Sequence, residues 1–131
     1  EIFVFGGWNT NGKWIKSVEK YSLVSKKWSQ VAKINNHHYY FCACAFMDKI
    51  LIIGGQTHRR RTSSCLQFNT SENVWKKVAR MNEARSSAAC AVFEERIVVC
   101  GGSNNNHPRL NTVESYDVLP DKWSTMPNKL R

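Results

Sequence analysis

Three kinds of side chain in this sequence carry reactive or binding chemistry: thiols, imidazoles and guanidinium groups. Five cysteines occur, Cys42, Cys44, Cys65, Cys90 and Cys100, and an odd number in a chain this long argues against a disulfide framework and for a reducing compartment. Cys42 and Cys44 are two apart, so on a strand both thiols share one face, whereas structural zinc sites use Cys-x2-Cys knuckles on turns. All five read as small buried hydrophobes. His37 and His38 are adjacent and poorly placed to converge on one ion, so no metal and no cofactor is expected. No nucleophile, general base and orienting acid form a recognisable constellation, and there is no Gly-x-x-x-x-Gly-Lys phosphate loop; no catalytic residue is expected. What remains is positive charge. Nineteen Lys and Arg face ten Asp and Glu, a formal balance of +9. Guanidinium groups suit bidentate capture of carboxylates and phosphates, and arginines with aromatics make protein-binding hot spots.

The elements that must position these groups follow from a repeat. Gly6-Gly7, Gly54-Gly55 and Gly101-Gly102 recur at spacings of 48 and 47, and Trp28, Trp75 and Trp123 at 47 and 48, with Tyr21, Phe68 and Tyr116 each seven residues before the Trp. Ile2–Phe5, 50–53 and 97–100 are short apolar runs ending at a glycine pair, where the missing side chain allows positive φ or close backbone approach. Alternating runs at 17–21, 64–68 and 112–116 predict half-buried strands. Turns at 25–27, 71–73 and 120–122 lead into the strand holding each Trp. Runs at 40–47 and 87–93 supply a fourth strand ahead of the next glycine pair. No helical periodicity is sustained.

Four antiparallel strands per repeat of this length fit a propeller blade. Lettered A to D from the inside outward, residues 1–33 form a partial blade with strands B to D. Residues 34–80 form a complete blade, and 81–131 another with the start of the next connection. The fold class is therefore all-β, with about two and three-quarter four-stranded antiparallel blades of one incomplete propeller domain. The chain opens at Glu1 directly into an apolar run and reads as a fragment. Its longest apolar stretch, 41–47, falls far short of the roughly 18 residues of a membrane span, so no membrane association and a cytoplasmic location are expected.

The segment Met81-Asn82-Glu83-Ala84-Arg85-Ser86, with 88–93, Arg96 to Gly102, Leu110 to Asp117 and Trp123, resembles the kelch repeat from end to end. The second blade departs from the pattern, having His38-Tyr39 for Arg-Ser and Phe68 for Tyr. The chain is most similar to the propeller of kelch-like proteins. That resemblance implies upstream BTB and BACK domains, absent from this sequence, through which the protein would bind a cullin as the substrate adaptor of a cullin-RING ubiquitin ligase. Actin binding or a cytoskeletal scaffold, known in other kelch proteins, is the alternative.

Strand direction places the B-to-C loops and the D-to-A connections at one end of the sheets and the A-to-B and C-to-D turns at the other. Lys13, Lys16, Lys33, Arg59, Arg60, Arg61, Arg80, Arg85 and Arg109 against Glu83 give the first end a balance of +8; the second is neutral. Trp8, Trp14, Lys16, His38, Tyr39, Arg59, Arg60, Arg61, Arg85, Ser86, Asn105 and Arg109 are the candidate contact residues for a protein partner with an acidic or phosphorylated segment. Kelch-like adaptors are similar in using this loop face. A nucleic acid is not the expected partner, because no stacking motif or reader fold accompanies the charge. Gly6, Gly7, Tyr21, Trp28, Gly54, Gly55, Phe68, Trp75, Gly101, Gly102, Tyr116 and Trp123 recur with the blade and are expected to be structural.

Overall fold

The structure, a computed structural model, describes residues 1–34, 38–58 and 60–130. Among these residues every regular element is a strand, and none is a helix long and apolar enough to cross a membrane. The chain divides into two compact units, 1–39 and 40–131.

In the first unit, β1 (Ile2–Phe5), β2 (Ser17–Ser22) and β3 (Lys27–Lys33) form an antiparallel sheet in that order. The second unit holds two four-stranded sheets. One is ordered β4 (Cys42–Phe46), β5 (Lys49–Ile53), β8 (Cys65–Asn69) and β9 (Val74–Val78). The other runs β10 (Ala89–Phe93), β11 (Arg96–Cys100), β12 (Val113–Asp117) and β13 (Lys122–Thr125). Between β5 and β8 a short hairpin of β6 (Gln56–Thr57) and β7 (Arg60–Arg61) projects from the sheet end. The sequence shows only a loop here, because two-residue strands have too few side chains to show alternation.

The apolar runs bury as their composition requires. Leu51, Ile53, Cys65, Met81, Ile97, Val99, Tyr116 and Trp123 form one cluster between the two four-stranded sheets. In each of the three sheets the recurring aromatic lies opposite the recurring Trp: Tyr21↔Trp28, Phe68↔Trp75 and Tyr116↔Trp123. Ring centroids are 5.1, 4.9 and 4.9 Å apart, and such cross-strand pairs contribute about 0.5–1.5 kcal/mol beyond the area they bury.

The second landmark, the glycine pair, is set by close backbone approach, from the connection into the next sheet at Gly54 and from within its own sheet at Gly102. A Cβ on Gly54, whose φ is +64°, would lie 2.3 Å from the Arg85 carbonyl oxygen, and one on Gly102, at +83°, would lie 2.6 Å from that of Ser86. Gly55 then donates its N–H to the same Arg85 carbonyl at 2.7 Å. No other residue allows the backbones to approach so closely.

Trp123 and Tyr116 also fasten one sheet to the next. The Trp123 indole N–H donates to the Ala79 carbonyl just beyond β9 at 3.0 Å. The Tyr116 hydroxyl donates to Asp121 Oδ1 at 2.6 Å, and that same oxygen accepts the Ala79 N–H at 2.7 Å. Trp123 is accordingly 5% exposed, whereas Trp28, in the first sheet of the chain, is 53% exposed.

Candidate ligand-binding loop face

The chemistry-bearing loops of the second unit meet at one end of its sheets. The β6–β7 hairpin carries Arg60 outward and turns Arg61 partly inward. Arg61 Nε donates to Ser86 Oγ at 3.0 Å, its backbone N–H donates to Asn105 Oδ1 at 3.0 Å, and Asn105 Nδ2 donates back to the Arg61 carbonyl at 3.2 Å. Ser86 and Ser103 share a hydroxyl contact of 3.2 Å and an antiparallel bridge. Asn104 closes its own loop, its side-chain oxygen accepting the N–H groups of Asn106 and His107 at 2.9 and 2.7 Å. The hairpin of one sheet and the B-to-C loop of the next are thus tied into one platform. Arg60, Arg80 and Arg109 are exposed at this end and form no ion pair among the described residues.

Arg85 corrects the reading of it as a contact residue: it is 1% exposed, with all five of its donors directed into the protein. Nε and Nη2 reach Glu114 Oε1 at 3.2 Å each; Nη1 reaches the carbonyls of Gly101 and Thr112 at 2.9 Å each; Nη2 also reaches Glu83 Oε2 at 3.2 Å and Thr112 Oγ1 at 2.8 Å. A guanidinium has five N–H donors, so none remains for a partner. Glu114, equally buried, accepts in addition from the backbone N–H groups of Asn82 and Glu83 at 2.7 and 3.1 Å. This cluster fixes the D-to-A connection against β12. Ser86, 3% exposed, acts in the same way as a bracket for Arg61.

The preceding blade lacks both partners. His38 stands where the repeat has Arg85, and Leu66 stands where it has Glu114. Burial lowers the pKa of His38 below the ordinary imidazole value, which favours the neutral ring. A neutral ring needs no carboxylate, so the paired substitution removes a buried cation and its counter-ion together.

In the first unit Trp8 and Trp14 face each other across a bridge, ring centroids 4.4 Å apart and edge to face. Tyr39 stacks on the other side of Trp14 at 4.4 Å with 12° between ring planes. The turn between the two tryptophans is closed by Asn9, whose Oδ1 accepts the N–H groups of Asn11 and Lys13 at 3.0 and 2.9 Å. Trp8, 57% exposed, ends the row of rings, and Lys16 is exposed nearby in sequence. Arg59 and His37 lie outside the described residues.

At the opposite end of the second unit two cations are paired, Arg96 with Asp117 at 2.8 Å and Lys49 with Asp48 at 3.4 Å. A groove of about 400 Å³ there is lined by Phe46, Met47, Glu95, Arg96, Leu119 and Pro120 among others. It combines apolar walls with balanced charge, unlike the cationic loop platform.

Sequence reasoning missed one convergence altogether. β4 and β10 pack against each other, and Cys42, Cys44 and Cys90 are all half-buried against the apolar cluster of the two sheets. The signal needed was the repeat register itself, since Cys44 and Cys90 occupy matching strands of successive blades.

Comparison with known proteins agrees with this geometry. Kelch-like protein 28 of Mus musculus is 32% identical over 79 residues, 54% of this chain and 14% of the relative. A kelch repeat and BTB domain-containing protein of Caenorhabditis elegans is 28% identical over 136 residues, 97% of this chain and 23% of the relative. The chain therefore spans less than a quarter of the length of these relatives. The solved structure of YjhT superposes with a TM-score of 0.80 at 15% identity, over 95% of this chain and 48% of that one, which establishes the fold as a partial β-propeller. The KLHDC2/KLHL20/DRC7 Kelch-repeats domain matches residues 1–131, and the chain belongs to that kelch-repeat family.

Proposed function

We propose that this propeller is the substrate-recognition module of a cullin-RING ubiquitin ligase adaptor and holds an acidic or phosphorylated protein segment over its B-to-C and D-to-A loops. The observation that carries the reading is the pairing pattern of the charges. Lys49 and Arg96 at the turn end have carboxylates beside them, whereas Arg60, Arg80 and Arg109 at the loop end have none among the described residues. Cations left without partners beside a hydrogen-bonded platform are prepared to pair with a ligand at little ordering cost. The ligase role is supported by the kelch-repeat and BTB architecture of one relative; in the adaptor reading the cullin is bound by a domain outside this chain.

The test is affinity purification of the full-length protein from cells with the proteasome inhibited, comparing wild type with the Arg60→Glu/Arg109→Glu variant. The reading predicts a cullin in both samples and at least a tenfold loss of acidic or phosphorylated partners in the variant, on the scale of about 1.4 kcal/mol per decade. Absence of a cullin from both, with sedimentation on actin filaments, would overturn the ligase reading in favour of a cytoskeletal one. Partners unchanged by the charge reversal would overturn the loop platform as the binding face.

A further inference from the structure

The inner strands of the two four-stranded sheets bring three thiols together. On β4 the side chains alternate, Cys42, Cys44 and Phe46 half-buried and Ala43 and Ala45 exposed. On β10 Cys90 is the half-buried residue between exposed Ala89 and Ala91. All three cysteines pack against the same apolar cluster. β4 and β10 pack against each other, which sets Cys90 beside the strand that carries Cys42 and Cys44. Cys42 also donates weakly to the Ile53 carbonyl across its own sheet, at 3.8 Å. Cys65, fully buried, and Cys100, whose thiol is directed to the Ala89 carbonyl at 3.8 Å, lie outside this trio. No group of three or more ligands suited to a metal ion is present among the described residues.

Three thiols without a fourth ligand suit thiol–disulfide chemistry better than metal binding. We infer that Cys90 is an oxidant-sensitive thiol that forms a disulfide with Cys42 or Cys44, linking adjacent blades through their inner strands. The oxidant is a hydroperoxide. The Cys90 sulfur attacks the peroxide, the O–O bond breaks, and with hydrogen peroxide one water leaves with Cys90 as the sulfenic acid. The sulfur of Cys42 or Cys44 then attacks the sulfenyl sulfur, the S–O bond breaks, and a second water leaves with the disulfide. Two electrons pass from two thiols to one peroxide, which balances the reaction.

The neighbouring Cys42 and Cys44 thiols lower the pKa of Cys90 and outweigh the burial that raises it. The same contacts, together with burial, raise those of Cys42 and Cys44. Cys90 is the one thiol of the three on β10, so it takes part in either disulfide, and loss of Cys42 or Cys44 leaves the other as its partner.

Peptide mapping tests this directly. Tryptic cleavage places Cys42 and Cys44 in 34–49, Cys65 in 62–76, Cys90 in 86–96 and Cys100 in 97–109. The intact protein is treated with hydrogen peroxide, its remaining thiols are alkylated, and it is digested without reductant. The expected product is 34–49 joined to 86–96, lost on dithiothreitol treatment and absent from Cys90→Ser. It should persist in Cys42→Ser and in Cys44→Ser and vanish when both are changed. Cys90 recovered fully alkylated, Cys90 recovered only as sulfinic acid, or a cross-link through Cys65 or Cys100 would overturn the inference. Because Ser is close in size to Cys, thermal unfolding of each variant in the reduced state verifies that the propeller persists.

Discussion

Arg85 shows how a single residue's chemistry is decided by what surrounds it. Its position in a cationic loop region suggests a ligand contact, but its five donors are spent on Glu114, Glu83, Thr112 and Gly101. Replacing one member of such a buried pair leaves the other unpaired, at about 3–5 kcal/mol, whereas replacing both with apolar groups costs far less. The blade that carries His38 and Leu66 already shows the double replacement. In a double-mutant cycle, Arg85→Met and Glu114→Leu together should cost less than the sum of the two single changes by about 2 kcal/mol. Denaturant unfolding of the intact protein measures this, and strict additivity would mean that the pair is not energetically coupled. Glu114 also caps two backbone N–H groups, so the double variant should still fall below wild type. The burial of Arg85 was not legible in the sequence because Glu114 lies 29 residues away, on a strand whose inward face the alternation alone did not fix.

At the scale of elements, the turn between β12 and β13 works as a fastener between sheets. Asp121 takes φ 49°, and the corresponding Lys26 and Asn73 take 54° and 57°. The left-handed turn is therefore shared by all three blades, but only Asp121 supplies a carboxylate to it. The hydrogen bond from the Tyr116 hydroxyl, and next that from the Ala79 N–H, hold the Asp121 carboxyl below its usual value of 3.8. A depressed folded-state pKa adds stability above the unfolded value and loses it as pH falls through the folded one. Burial first, and Asp121 second, raise the Tyr116 phenol above its usual 10.0, so its contribution is lost as pH climbs beyond that value. Asp121→Asn should therefore flatten the stability profile below about pH 4 relative to wild type. Unfolding midpoints measured across pH 2.5 to 6 check this, and parallel profiles for the two proteins would contradict it.

The strands themselves were readable because three landmarks repeat in step, and each proved to have a mechanical cause: close approach at Gly54 and Gly102, cross-strand ring pairs, and the indole bond to Ala79. What escaped was contact between repeats. β4 packs against β10, and the Arg61–Asn105 tie joins loops 44 residues apart. A repeat shows which positions are equivalent, but not which of them touch across a blade boundary.

For the whole molecule, charge distribution carries the functional account. One end of the second unit pairs Lys49 and Arg96 internally and the other presents Arg60, Arg80 and Arg109, and long-range attraction of an acidic segment to the latter would speed encounter and weaken with salt. The first unit has its own candidate for apolar anchoring, the aromatic row of Trp8, Trp14 and Tyr39. The chain spans less than a quarter of its kelch-like relatives, so the ligase role we propose concerns the complete protein, with the loop platform as its proposed recognition surface. Hydrogen–deuterium exchange on the full-length protein, free and bound to a captured partner, tests that surface most directly. Slower exchange on binding within 56–61 and 103–111 is the predicted result; protection confined to the turns at 46–49, 93–96 and 117–121 would contradict it.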